Sequence, residues 1–104
     1  MSYCAEIITF STSVEPNKFL ARRAAVVEIA VREADGLVAV PFCGRRQDGT
    51  WLDVWIYATQ EAAETAASSG ADFPEFVALM ETVTDMEIEF VDVPDDALAA
   101  VMAR

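Results

Sequence analysis

Apolar and polar side chains alternate along four stretches of the chain, which is the period-two pattern of β-strands. The first two predicted strands span residues 3–11 and 37–45, and the other two span residues 51–58 and about 85–93. The earlier strands carry apolar side chains on both faces, which indicates a sheet that is covered on both sides. In the last strand, apolar residues alternate with acidic ones, so one of its faces is expected to meet water.

Two local signals place the second strand. Gln47-Asp48-Gly49 predicts a hairpin turn into the third strand, because an Asp-Gly pair tolerates positive φ. Pro41 lies inside the second strand and has no N–H for a ladder hydrogen bond. We therefore expect this strand to lie at a sheet edge or to be bulged near Pro41.

The first predicted helix spans residues 16–34 and follows a spacing of three and four. Pro16 suits its first turn, where the missing N–H is not needed, and Gly36 supplies its end. The predicted apolar stripe consists of Leu20, Ala24, Val27, Val31 and Ala34, widened by Phe19, Val26 and Ala30.

Three shorter helices are predicted after the third strand. The first spans residues 60–69, with Thr59 as its N-cap and a face of small alanines. The second is expected to begin at a capping box in which Asp72 caps and Glu75 lies three residues further on. The third is a short C-terminal helix over residues 95–103.

This element order is βαββαβ, followed by the C-terminal helix. With right-handed crossovers it predicts an α+β, ferredoxin-like domain with an antiparallel sheet and helices on one face. The 104 residues are expected to form a single domain, residues 1–104, with a core at about 3–93. Because the second face of the sheet also needs a cover, we expect a homodimer.

The net charge of −11 is confined to the second half of the chain. Residues 51–104 hold twelve acidic residues and one basic residue, whereas residues 1–50 hold six of each. Phosphate groups would repel such a chain, so neither nucleic acid nor anionic membrane is an expected partner. No apolar run approaches the roughly 20 residues that span a bilayer. The N-terminus also lacks the pattern of a signal peptide, and we expect a cytoplasmic protein.

Histidine is absent, which excludes a Ser-His-Asp triad, a Cys-His pair and every histidine-ligated metal or haem site. Cys4 and Cys43 form no CxxC motif, and both are expected to be free thiols. Asp85, Glu87 and Glu89 alternate on one strand, roughly 7 Å apart, which is too wide to share one ion. We therefore expect neither a metal nor a cofactor.

Several motifs together resemble a known layout. They are the long first helix, the Gly36-Leu37-Val38 start of the second strand, the Asp48-Gly49 hairpin, the run Val54-Trp55-Ile56-Tyr57-Ala58-Thr59-Gln60-Glu61-Ala62 and the ending Met86-Glu87-Ile88-Glu89-Phe90. Over about residues 5–93, the chain resembles the dimeric α/β-barrel proteins, in particular the antibiotic-biosynthesis-monooxygenase-like (ABM-like) group. Tyr57 stands where that family usually has tryptophan.

The resemblance implies a sheet-to-sheet homodimer with a ligand cleft between each sheet and its helices. Some members are cofactor-free oxygenases of polycyclic aromatic compounds, whereas others degrade haem or isomerise small acids. The haem-degrading branch needs an axial histidine, which this chain lacks. Oxygenase members use a polar cleft with an asparagine, and Asn17 is the one asparagine here.

The third strand carries the candidate site. Trp51, Asp53, Trp55 and Tyr57 share one face, and such rings can line a cleft for a flat ligand. The same rings would equally fill the core or the dimer interface, and the sequence leaves the choice of face open. The predicted substrate-binding residues are Trp55, Tyr57, Phe19, Asn17 and Arg22.

Two functions therefore compete. One is an enzyme that acts on an aromatic small molecule, either a cofactor-independent monooxygenase or an isomerase-like protein. The other is a non-catalytic dimer that binds a small ligand or a protein, or that has a structural role. The sequence identifies no catalytic residue. A pocket with convergent polar groups would favour the enzyme, and a cleft packed shut by Trp55, Tyr57 and Phe19 would favour the second function.

Overall fold

The computed structural model describes residues 2–97. Its elements, in chain order, are β1 (Ser2–Thr12), α1 (Pro16–Glu33), β2 (Leu37–Arg45), β3 (Trp51–Tyr57), α2 (Gln60–Ser69), α3 (Pro74–Met80) and β4 (Val83–Pro94). A single 3-10 turn, Gly70–Asp72, joins α2 to α3. Residues 95–97 are helical, and the rest of the predicted C-terminal helix lies outside the described residues.

The strands form one antiparallel sheet in the order β2-β3-β1-β4. This order and the βαββαβ sequence of elements confirm the predicted α+β, ferredoxin-like fold. The long β1 pairs with β3 on one side and with β4 on the other. The centre of the sheet is therefore built from β1 and β3. Glu6 lies on β1, and β3 carries Trp51, Asp53, Trp55 and Tyr57.

The local signals for strand and helix ends mostly act as predicted. β2 is an edge strand, and its pairing with β3 is irregular between Ala39 and Phe42, around Pro41. The Thr59 hydroxyl accepts a hydrogen bond from the Ala62 N–H at 3.0 Å, which confirms Thr59 as the N-cap of α2. These signals are reliable because each depends on one residue and its immediate neighbours.

The predicted capping role of Asp72 is wrong. Gly70 keeps helical dihedral angles, so the chain continues into the 3-10 turn and Asp72 becomes part of that turn. Phe73 is the N-cap of α3 and makes no side-chain capping hydrogen bond. Pro74, at the first position of α3, fixes where this helix begins.

The pairing register assigns every strand residue to one of two faces, since residues directly opposite each other point the same way. The helix-side face carries Cys4, Glu6, Ile8, Phe10, Leu37, Cys43, Trp51, Asp53, Trp55, Tyr57 and Phe90. The outer face carries Ala5, Ile7, Thr9, Phe42, Leu52, Val54, Ile56, Glu87 and Glu89. The aromatic rings of β3 therefore face the helices.

The hydrophobic core lies between the helix-side face and the three helices. Phe19 of α1 is 1% exposed, and its ring centroid lies 5.3 Å from that of Phe10 and 5.2 Å from that of Trp51. Leu79 of α3 and Ala63 of α2 complete the cover. One end of the core is thus a tightly packed cluster of aromatic rings.

The inward face of α1 is rotated from the predicted stripe. Leu20 and Val31, two members of that stripe, are exposed, whereas Phe19 and Val26 are buried. The inward positions follow the spacing 19, 23, 26 and 30, and position 23 is an arginine. Because the predicted stripe is defined by apolar residues alone, it misses the inward position of Arg23 and lies too far around the helix.

α2 packs close to the chain at the start of β2. Gly36 has a φ of +85°, and a Cβ atom added there would lie 2.8 Å from the Cβ atom of Ala62. The small residues of α2 permit this approach, as its alanine-rich face predicts. None of the helices within residues 2–97 is long and apolar enough to cross a membrane.

Candidate functional site

A cluster of polar side chains lies at the middle of the helix-side face. It is formed by Glu6 of β1, Asp53 of β3, Cys43 of β2 and Arg23 of α1. In the register, Glu6 lies directly opposite Trp55, and Cys43 lies directly opposite Asp53. Three adjacent strands and one helix therefore bring these groups together.

Arg23 and Asp53 form a two-pronged ion pair. Arg23 Nε donates to Asp53 Oδ2 and Arg23 Nη2 donates to Asp53 Oδ1, both at 2.8 Å. The two side chains are 14% and 9% exposed, so solvent screens the pair weakly. Burial by itself would lower the pKa of Arg23, but the hydrogen bond and the charge of Asp53 outweigh it and raise that pKa. The guanidinium group stays charged, and its Cζ atom lies 5.9 Å from the centroid of the Trp55 ring.

Glu6 is 7% exposed and, unlike Asp53, has no arginine partner. Among residues 2–97, the structure shows no hydrogen bond to its carboxyl group and no ion pair. Burial and, secondly, the negative charge of Asp53 raise the pKa of Glu6 from 4.5 to about 7. This carboxyl group therefore changes charge near neutral pH, as a general acid or base requires.

The neighbouring thiol and phenol remain protonated. Burial, followed by the charge of Asp53, raises the pKa of Cys43 to about 11. Burial, followed by the charges of Glu6 and Asp53, raises the pKa of Tyr57 well above its ordinary value of 10. Tyr57 can thus donate a hydrogen bond from its hydroxyl group, whereas Cys43 is a poor nucleophile. Cys4 and Cys43 are both free thiols.

The raised pKa of Glu6 predicts how stability depends on pH. The folded protein retains this proton up to about pH 7, whereas the unfolded chain releases it near pH 4.5. The folded state therefore binds more protons between these values, and the free energy of unfolding falls as pH rises through them. In urea titrations at several pH values, Glu6→Gln should show a smaller fall than the wild type, since all other acids are common to both. Equal slopes for the two proteins would contradict the assignment.

The structure divides the five predicted substrate-binding residues into two groups. Trp55, Tyr57 and Phe19 are buried on the helix side of the sheet and belong to one core cluster. Asn17 and Arg22 are exposed, and the backbone N–H of Asn17 donates to Glu15 in the N-terminal cap of α1. Their roles in binding stay predictions. The arginine of α1 that lies over the Trp55 ring is Arg23, and Arg45 of β2 lies over the Trp51 ring.

The sequence holds a signal for the polar cluster that a search for apolar patterns overlooks. Glu6 lies between Cys4 and Ile8 on the inward face of a strand, and Arg23 lies four residues after Phe19 on the inward face of a helix. Charged residues at such positions are buried only when they are paired or serve a function. Of the charged residues at inward positions, two acids and one base are withdrawn from solvent, which indicates an ion pair with one acid left over.

Two surface depressions lie away from the rings. One, of about 350 Å³, is lined by Glu61, Glu64, Asp72 and three serine or threonine residues of the α2 region. The other, of about 270 Å³, lies by β1 and β4 and is lined by Ile7, Thr9, Glu87, Ile88 and Glu89. Within residues 2–97, no three histidine, cysteine or acidic side chains are grouped to hold a metal ion.

Solved structures of ABM-like proteins have the same fold, so the resemblance seen in the sequence is confirmed at the level of the fold. SnoaB, a cofactor-independent oxygenase from Streptomyces nogalater, superimposes with a TM-score of 0.74 at 16% identity, over 91% of this chain and 96% of its own. A protein proposed to be an antibiotic biosynthesis monooxygenase from Bordetella bronchiseptica gives 0.72 at 18% identity, over 88% and 96%.

A third solved structure, of a protein proposed to be an antibiotic biosynthesis monooxygenase from Deinococcus radiodurans, gives a TM-score of 0.60 at 20% identity, over 88% of this chain and 93% of its own. No protein-family model matches the chain, and no curated protein sequence matches it. At these identities the shared property is the fold, so function has to be argued from the residues themselves.

Proposed function

We propose that this protein is a cofactor-independent monooxygenase that acts on a flat aromatic small molecule. The observation that supports it best is the polar cluster, in which an unpaired buried carboxyl group and a buried ion pair flank the Trp55 ring. Aromatic faces bind flat ligands, and a carboxyl group that titrates near neutrality can take a proton from them. SnoaB, which has the same fold, is a cofactor-independent oxygenase.

The chemistry has to draw its electrons from the substrate. A phenol such as 1-naphthol becomes electron-rich when its hydroxyl group loses a proton, and the ring can then reduce O₂. In the overall reaction, 1-naphthol and O₂ give 1,4-naphthoquinone and water. One oxygen atom enters the ring and the other leaves with two hydrogens of the substrate. The role of the protein is to bind, deprotonate and shield the ring.

The first test uses 1-naphthol as the probe. 1-Naphthol should quench the tryptophan fluorescence of the wild type saturably. The wild type should also consume O₂ with this compound faster than a protein-free control does. With ¹⁸O₂, one labelled oxygen atom should appear in the naphthoquinone. Tyr57→Phe should weaken the binding of hydroxylated rings that use its hydroxyl by about 1 kcal/mol, the typical net contribution of one hydrogen bond. Oxygen uptake no faster than in the control across a panel of naphthols and larger phenols would contradict the proposal.

The second candidate is a dimer that binds a ligand without catalysis. It is favoured by the close packing of Phe19 against Phe10 and Trp51, whose ring centroids lie 5.3 and 5.2 Å from that of Phe19. Saturable quenching by aromatic compounds with no oxygen uptake would select this candidate. The absence of both would leave the rings as core residues.

The proposed assembly is a homodimer through the outer face of the sheet. Phe42 is 51% exposed there, and Val54, Leu52 and Ile7 are partly exposed around it. Light scattering should therefore give about twice the 11.3 kDa mass of the chain. Val54→Glu should shift the protein toward the monomer, because it buries a charge at the centre of this face. Val31→Glu, on the exposed side of α1, is the matched control and should leave the mass unchanged.

A further inference from the structure

Glu6 and Asp53 are the two buried acidic residues within residues 2–97, and they are held differently. Asp53 accepts two hydrogen bonds from Arg23, which compensate the cost of burying its charge. Glu6 has neither a hydrogen bond nor an ion pair. A buried carboxyl group without a hydrogen-bond or ion-pair partner costs free energy when it ionises, and it gives the fold no contact that an apolar side chain would not give. The carboxyl oxygens of Glu6 keep some contact with solvent. Such a group needs an explanation other than stability.

The surroundings of Glu6 point to the ligand that would explain it. Trp55 lies directly opposite Glu6 across β1 and β3, and Arg23 Cζ lies 5.9 Å from the centroid of the same ring. Arg23 uses Nε and Nη2 for Asp53, so its Nη1 donors are not used in that pair. The Trp55 ring therefore has a proton acceptor beside it and a fixed positive charge over it. A flat ring with one weakly acidic hydroxyl group matches this arrangement.

We propose that Glu6 is the residue that accepts the proton from the hydroxyl group of the aromatic ligand. This inference rests on the proposed function and adds the identity of the residue that takes the proton. The O–H bond of the ligand breaks as an O–H bond forms on a Glu6 carboxylate oxygen. The negative charge passes to the aromatic oxygen and ring, near Arg23, and no other reactant takes part in this step.

If Glu6 accepts this proton, the protonation state of Glu6 must change the affinity for the hydroxylated ligand. The ionised carboxylate accepts a hydrogen bond from the hydroxyl group, and hydrogen bonds to charged groups are stronger than neutral ones. Since the pKa of Glu6 lies at about 7, the effect falls within an accessible pH range. An aromatic ligand without a hydroxyl group gains nothing from this ionisation, because it has no proton to donate.

The experiment compares two probes on three proteins. Dissociation constants of 1-naphthol and 1-methoxynaphthalene are measured by tryptophan quenching from about pH 5 to about pH 8, below the ordinary ionisation range of phenols. The proteins are the wild type, Glu6→Gln and the control Glu28→Gln, which alters an exposed glutamate on α1. Glu6→Met provides a second variant that keeps the volume and removes all proton transfer. Circular dichroism checks that each variant is folded.

For the wild type and Glu28→Gln, the affinity for 1-naphthol should rise about tenfold through a midpoint near pH 7. The affinity for 1-methoxynaphthalene should not rise. Both Glu6 variants should bind 1-naphthol without this pH step. Their kcat for oxygen uptake should fall at least about a hundredfold, which is the usual contribution of a positioned base.

The outcomes separate this inference from the proposed function. A pH step that persists in the Glu6 variants, or a wild type that binds 1-naphthol with no pH step, overturns the role of Glu6 and leaves the aromatic site standing. A Glu6-dependent step without oxygen uptake supports the proton acceptor and overturns the oxygenase. A wild type that binds neither probe overturns both.

Discussion

Phe19→Ala is expected to lower the free energy of unfolding by about 3–5 kcal/mol, the usual cost of removing a buried aromatic ring. Phe19 is 1% exposed and contacts the rings of Phe10 and Trp51, so truncation leaves a cavity where the helix meets the sheet. Urea denaturation followed by tryptophan fluorescence measures the change.

Val31→Ala on the same helix is the control for Phe19→Ala. Val31 is 67% exposed, and its truncation should change the free energy of unfolding by no more than about 0.5 kcal/mol. If Phe19→Ala cost no more than this control, the packing described for the aromatic end of the core would be incorrect.

Asp53→Ala is expected to cost about 3–5 kcal/mol, because it leaves the guanidinium group of Arg23 buried without its partner. The penalty comes mainly from the unpaired charge, so it should be relieved when the charge is also removed. The double variant Arg23→Met/Asp53→Leu should therefore be more stable than Asp53→Ala alone. Thermal and urea unfolding of the single and double variants measure the difference.

Arg22→Ala is the matched control for the ion pair. Arg22 precedes Arg23 in α1 but is exposed, and its loss should have an effect within about 0.5 kcal/mol. A double variant as unstable as Asp53→Ala would show that the cost arises from lost packing rather than from the unpaired charge.

The fold follows from the sequence because its signals are local and numerous. The structural effects of Pro41, Thr59 and Gly36 extend only a few residues from their own positions. The alternation of apolar and polar residues that predicts each strand also lies within that strand. The prediction that Asp72 caps α3 is wrong because it depends on more than Asp72 and its immediate neighbours. Whether it caps α3 depends on the backbone of Gly70 two residues before, which continues the preceding helical path.

The candidate site was only partly predictable, because its members lie far apart in the sequence. The aromatic face of β3 is visible from Trp51, Trp55 and Tyr57, but their direction depends on pairing with β1, which no local pattern specifies. The contact between Arg23 and Asp53 joins positions 30 residues apart. Arg22 and Arg23 are adjacent in α1, yet Arg22 is exposed and the side chain of Arg23 is only 14% exposed. A stripe defined by apolar residues alone does not distinguish these two positions.

The irregular pairing around Pro41 affects how the protein behaves when it is concentrated. An exposed edge strand is a template on which further chains can add, and such growth leads to fibrils. On β2 the template is interrupted, since Pro41 offers no N–H and the register with β3 is broken between Ala39 and Phe42. On β4, Glu87 and Glu89 place like charges on each chain that would have to stack. We therefore expect both edges of the sheet to resist the edge-to-edge addition of further chains.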